Sequence, residues 1–137
     1  KTKHIMGLDQ FAYKIPKVSK IENNKDVEFL KEMSLIETEP EEIHYWRKHP
    51  NIQGLMEEIW LSKGNEGKFN CEKVYLSLED IEGIEEKIKN SDLPETSGFF
   101  FGRSSGGEEE KEDDLAFIQK AKNAIDEGYD IFYSSWW

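Results

Sequence analysis

The sequence predicts an α+β domain, or the related α/β arrangement, built as two layers with about four strands covered by three or four helices. Three observations carry that expectation. Apolar residues alternate near both ends of the chain, in 7–15 and 129–137, as half-buried strands require. Between them lie several stretches with apolar residues at helical spacing. The 137-residue length suits one domain with a modest core, and 12% aromatic residues supply burial that a hydrophobic content of 36% would otherwise leave short.

The elements follow in order. Gly7–Ile15 (GLDQFAYKI) reads as a strand carrying Leu8, Phe11 and Tyr13, closed by Pro16. Residues 17–38 fit no single element: Asn23-Asn24 resembles a turn, while Val27, Phe29, Leu30 and Met33 suit a short helix or a strand. Glu39-Pro40-Glu41-Glu42 has the acids and proline of a helix start, so a helix is predicted through Ile43, Trp46 and Arg47, interrupted at Pro50. A second helix restarts there, with Ile52, Leu55, Met56, Ile59 and Trp60 in one stripe and Gly64 at its end.

Phe69–Leu76 reads as a strand with Phe69 and Cys71 facing inward. Ser77 and Asp80 resemble a capping box ahead of a helix bearing Leu78, Ile81, Ile84 or Glu85, and Ile88. Gly98–Arg103 is a predicted core strand, since alternation sends Phe99 and Phe101 to one face and Phe100 to the other. A glycine-rich acidic loop near 103–113, expected to be mobile, leads into a helix with Leu115, Ile118, Ala121 and Ile125, ended by Gly128. Tyr129–Trp137 closes the chain as a strand with Ile131, Tyr133 and Ser135 on one face and Phe132, Ser134 and Trp136 on the other. Residues 6–137 are therefore expected to form a single globular domain, with residues 1–5 an addition ahead of a start at Met6.

Charge narrows the function classes. A net charge of −11 disfavours direct binding to a nucleic-acid backbone, which needs clustered Lys and Arg. It suits solubility, attraction to a protein partner with a basic surface, or mimicry of a polyanion. One cysteine, Cys71, excludes an intrachain disulfide and a Cys-pair metal site. No apolar run approaches the roughly 18–20 residues that span a bilayer, so no membrane association and a cytoplasmic setting are expected.

The densest candidate constellation is Tyr45-Trp46-Arg47-Lys48-His49 with Asn51. Arg47, Lys48 and His49 could hold an anion while Tyr45 stacks on a base or sugar; the structural alternative is a buried Trp46 with cations neutralising a helix end. Arg47 stands out because its planar fork grips phosphate or carboxylate bidentately. Arg103 is a possible second cation, and Asp9 stands out as an acid inside an otherwise apolar strand. His4, His44 and His49 lack the spacing of a metal site, and no cofactor is implied. The acidic run Glu108–Asp114 lacks the alternation of a calcium loop. Gly102-Arg103-Ser104-Ser105-Gly106-Gly107 lacks the Gly-Lys-Ser/Thr ending of a phosphate loop, and the acids behind it would repel phosphate.

Several fragments together resemble a family of small proteins encoded by tailed bacteriophages, abundant in phages of marine bacteria. They are Met6-Gly7-Leu8-Asp9 leading to Phe11-Ala12-Tyr13, Tyr45-Trp46-Arg47-Lys48-His49 with Asn51, and Phe69-Asn70-Cys71. They continue with Leu93-Pro94-Glu95-Thr96, Gly98-Phe99-Phe100-Phe101-Gly102 and Ser134-Ser135-Trp136-Trp137. The resemblance implies a phage product working in host cytoplasm. Members often bear the label phosphoglycerate kinase, yet this chain is far shorter than a two-lobed kinase and lacks paired nucleotide and phosphoglycerate sites. The leading expectation is a non-catalytic accessory protein that binds a host or phage macromolecule, through an acidic surface and buried rings. The alternative is a small enzyme or a nucleotide- or phosphate-binding domain using Tyr45, Arg47, Lys48 and Asn51.

Overall fold

The structure is a computed structural model that describes residues 7–16, 39–96 and 104–137. In chain order its elements are β1 (Asp9–Pro16), β2 (Glu41–Arg47), α1 (Pro50–Ser62), β3 (Lys73–Leu76), α2 (Leu78–Lys89), α3 (Glu108–Asp126) and β4 (Tyr129–Trp136). The strands form one sheet in the order β2-β1-β4-β3, and every pairing is antiparallel. That resolves the fold class as α+β rather than α/β. The first and last strands are the central pair, in register from Asp9 opposite Trp136 to Pro16 opposite Tyr129.

Strand alternation divides the side chains between two faces. Ala12, Trp46, Val74, Leu76, Ile131 and Tyr133 point to the face that carries the helices, where they join Ile52, Met56, Trp60, Ile81, Ile84, Ile88, Phe117, Ile118 and Ala121 in one core. The opposite face is a ladder of rings. Phe11 lies 5.2 Å from Tyr45 and 6.0 Å from Trp136, and Tyr13 stacks 4.9 Å from Phe132.

Residues 41–47 form a strand, not the predicted helix. Pro40 and its neighbouring acids do suit a helix start, but the segment carries no helical apolar stripe. It has a period of two instead: His44 and Trp46 are buried, while Tyr45 and Arg47 are exposed. Pairing with β1 satisfies backbone groups on both strands, and that decides the conformation. Pro50 consequently does not interrupt a helix. It opens α1 near the first helical position, where a missing N–H costs nothing.

Further corrections are local. The predicted strand Phe69–Leu76 shortens to β3 because the chain turns at Cys71, whose φ is 65°. Cys71 is exposed rather than inward, while Phe69 is buried beside Trp60. The acids Glu108–Asp114, expected in a loop, form the first turns of α3, where Glu108, Glu109 and Glu110 meet the positive end of the helix. Leu78 is exposed on α2, although the Ser77–Asp80 capping box and the stripe Ile81, Ile84, Ile88 are present as expected. The expected strand Gly98–Arg103 and the unassigned segment 17–38 lie outside the described residues.

Close approach at one glycine sets the position of a loop. A Cβ on Gly54 in α1 would sit 1.9 Å from the Thr96 hydroxyl and 2.9 Å from its Cβ. The backbone N–H of Thr96 also donates to the Asn51 side chain at 3.0 Å, so segment 93–96 is held directly against α1. Gly54→Ala should therefore lower stability by about 1–3 kcal/mol in urea unfolding, despite alanine's advantage of nearly 1 kcal/mol as a helix former. A neutral or stabilising result would show that the loop does not pack as described.

Candidate functional site

The segment YWRKHPN feeds two separate places because strand alternation splits it. On the outer face Tyr45 and Arg47 meet Asp9, which lies opposite Arg47 in the β1–β2 register. The Tyr45 hydroxyl donates to Asp9 at 2.6 Å, and the Arg47 guanidinium lies 3.5 Å from the same carboxylate oxygen. Gly7, at a φ of +126°, leaves room for the Arg47 fork: a Cβ there would come within 2.8 Å of it. Partial burial and then the Asp9 carboxylate raise the Tyr45 phenol above its ordinary range, with Arg47 acting in the opposite sense. Tyr45 and Trp136 remain 43% and 53% exposed on this face, flanking half-buried Phe11.

The remaining predicted residues do not join that group. Lys48 is exposed in a left-handed turn, φ 58°, and its N–H donates to Leu8 at 2.8 Å. Asn51 lies beyond it in the first turn of α1, holding Thr96. Arg103 lies outside the described residues. Tyr45, Arg47 and Asp9 converge; Asn51 belongs to the opposite side.

That opposite side holds a buried polar network that the sequence did not reveal. Asp114, 1% exposed, is its hub. One carboxylate oxygen accepts the Trp46 indole N–H at 3.0 Å, and the other lies 2.9 Å from His49 Nε2. The second ring nitrogen, His49 Nδ1, lies 2.7 Å from the Ser104 hydroxyl and 3.7 Å from Glu110. Ser104 Oγ also accepts the backbone N–H of Asn51 at 3.0 Å, capping α1 from a distant part of the chain while the adjacent His49 side chain is engaged elsewhere. Gln10 brackets the His49 backbone, accepting its N–H at 2.8 Å and donating to its carbonyl at 3.0 Å.

The network continues inward. Gln10 donates to the Tyr133 hydroxyl, which donates to Gln53 at 2.5 Å. Complete burial drives the Tyr133 phenol far above its ordinary range, outweighing the Gln10 hydrogen bond that acts to lower it. A parallel contact places His44 Nε2 3.1 Å from Asp113 and Nδ1 3.2 Å from the Lys120 ammonium. Beside Asp114 lies a cavity of about 170 Å³, lined by Asn51, Ile88, Leu93, Gly106, Glu110 and their neighbours.

One signal could have located Asp114. It continues the stripe Phe117, Ile118, Ala121, Ala124 back by one helical turn, and an acid on a buried stripe needs partners. Ser104 and His49 lie 55 residues apart, and no local pattern links them. Among the described residues no helix is long and apolar enough to cross a membrane. No family model, curated protein or solved structure matches this chain.

Asp114→Ala should cost about 2–5 kcal/mol in urea unfolding, because two buried groups lose their acceptor. Glu110→Ala, which frees exposed loop N–H groups of Ser105 and Gly106 and removes a carboxylate 3.7 Å from His49 Nδ1 without taking away its hydrogen-bond partners, should cost only about 1 kcal/mol. Equal losses would contradict the hub role. Alkaline pH supplies a second check. A phenol whose folded pKa is raised stabilises the fold below the unfolded value of about 10 and loses that contribution as pH climbs toward the folded value. Tyr133, Tyr45, Tyr13 and Tyr75, the last pushed up to about 12 by burial and then by Asp130 and Asp80, all act in this direction. Stability should fall above pH 10, with the last phenolate absorbance appearing together with unfolding. Tyr133→Phe should flatten that fall while costing about 1–3 kcal/mol at neutral pH.

Proposed function

We propose that this protein is a phage accessory factor that binds a basic surface on a host or phage protein in the host cytoplasm, using the ring-bearing outer face of its sheet. The observation that carries this reading is the pair Tyr45 and Trp136, both prominently exposed on one face and packed around Phe11. Interfaces concentrate their energy in such amphipathic rings, which bury large area at little conformational cost. The net charge of −11 adds long-range attraction to a cationic partner and speeds its encounter, while disfavouring nucleic-acid backbones.

Arg47 fits this reading better than it fits a ligand site. Its guanidinium is directed at Asp9, and that pair orients the Tyr45 hydroxyl between them. A phosphate would have to compete with a carboxylate 4% exposed and already in place. The Tyr45–Asn51 cluster therefore does not supply a shared anion pocket.

A pull-down from infected-host lysate with wild type and the Tyr45→Ala/Trp136→Ala double variant tests the proposal. Wild type should recover a basic protein that is released by high salt. The purified partner should then shift wild-type tryptophan fluorescence, and the double variant should bind it at least about 30-fold more weakly, the effect of losing one strong interface ring. Unchanged affinity in the double variant would overturn the assignment of this face.

A further inference from the structure

We propose that Ser104 is an acylable nucleophile, activated by His49 and Asp114, and that the adjoining cavity takes a short, uncharged acyl ester. The site is distinct from the outer-face rings and uses groups that the binding reading leaves unexplained.

The donor roles follow from the partners' chemistry. Asp114 receives the Trp46 N–H on one oxygen, so the carboxylate is fixed in plane and position. With the ring proton placed on Nε2 and directed to Asp114 at 2.9 Å, Nδ1 is the ring's lone-pair acceptor. Ser104 Oγ already accepts the Asn51 backbone N–H, a group that can only donate. Its own proton is then directed to Nδ1, 2.7 Å away. The result is a serine–imidazole–carboxylate relay with the nucleophile and the orienting acid on opposite ring nitrogens, the arrangement required of a general base held by a third group. Gln10 clamps the His49 backbone on both sides, so the ring has little freedom to drift.

The surroundings favour reaction at oxygen. The Asn51 N–H belongs to the first turn of α1, and a helix N-terminus stabilises negative charge developing beside it. His49 and Asp114 are 3% and 1% exposed, where electrostatic effects are less screened. As a purely structural cap the arrangement is costly, because a serine alone would satisfy the same N–H without burying a histidine and a carboxylate.

The cavity gives the substrate class. Ser104 and His49 stand behind its wall rather than in it: Asn51, bonded to Ser104, and Asp114, bonded to His49, line it with the apolar Ile88 and Leu93, and Gly106 brings the lining within two residues of Ser104 along the chain. The cavity, about 170 Å³ and partly open to solvent, has room for a short acyl group. Glu110 and Lys111 both border it, so the lining favours neither sign of charge and an uncharged group suits it best. In the reaction Ser104 Oγ attacks the acyl carbon while its proton passes to His49 Nδ1. The ester C–O bond then breaks, and the imidazolium returns that proton to the departing alkoxide. Water, deprotonated by Nδ1, attacks the acyl-serine, and the same proton restores the Ser104 hydroxyl as the carboxylic acid leaves.

Labelling the folded protein with an alkyl fluorophosphonate, followed by intact-mass measurement and peptide mapping, tests this. A single adduct on Ser104 is expected, with hydrolysis of p-nitrophenyl acetate that Ser104→Ala abolishes. His49→Gln should slow labelling by about 100-fold or more, the scale of a lost general base. Because that variant could unfold, Ser104→Cys provides a second measurement: the thiol it introduces should react with iodoacetamide at least about tenfold faster than exposed Cys71 in the same chain. No adduct on Ser104 in the wild type, a labelling rate unchanged in folded His49→Gln, or an introduced thiol that reacts no faster than Cys71 would each overturn the proposal. The Tyr45→Ala/Trp136→Ala variant should label normally, so failure of the binding reading and failure of this one are separable.

Discussion

Three parts of the chain that fold from unrelated local signals are joined at the carboxylate of Asp114. Strand β2 reaches it through the Trp46 indole, the turn into α1 reaches it through His49, and α3 carries it. A buried carboxyl group is tolerated only when its polar atoms find partners, so its position constrains all three elements together. Gln10 extends the constraint to the central strand, and Tyr133 with Gln53 extends it to β4 and the middle of α1. Apolar packing supplies most of the driving force for such a core, but it is tolerant of small shifts. The hydrogen-bonded chain is less tolerant and sets how the helix layer sits over the sheet.

The same geometry explains why one heptapeptide serves both sides of the molecule. In a helix Tyr45 and Arg47 would diverge, whereas in a strand they stand together, and the left-handed turn at Lys48 then swings the chain across to the helix side. Strand conformation thus gives the outer face its Asp9–Tyr45–Arg47 group and the interior its Trp46 and His49. Charge and chemistry are separated by the thickness of a single strand.

Much of the architecture is legible in the sequence. The end strands, the Ile52–Trp60 stripe and the Ser77 capping box rest on local periodicity and capping chemistry, and they stand as read. The sequence misleads at β2 because Pro40 and the acids are sound helix-start signals, and only an unpaired neighbour strand outweighs them. Tyr45, Arg47 and Asp9 can be singled out by residue type, but their convergence depends on register. The Asp114 network is illegible for a different reason: one acid among 29 is informative only once its place on a buried stripe is known.

The central pairing of β1 with β4 has a consequence for how the chain acquires its structure. Gln10 and Tyr133, bonded to one another, are 123 residues apart. The sheet cannot close around its middle until β4 has been made, so the early segments must wait with β1 unpartnered on its inner side. Pairings of such long range are slow to form, because loop-closure entropy is lost before contacts repay it. During synthesis the first strand is therefore a sticky, ring-bearing ribbon until β4 emerges.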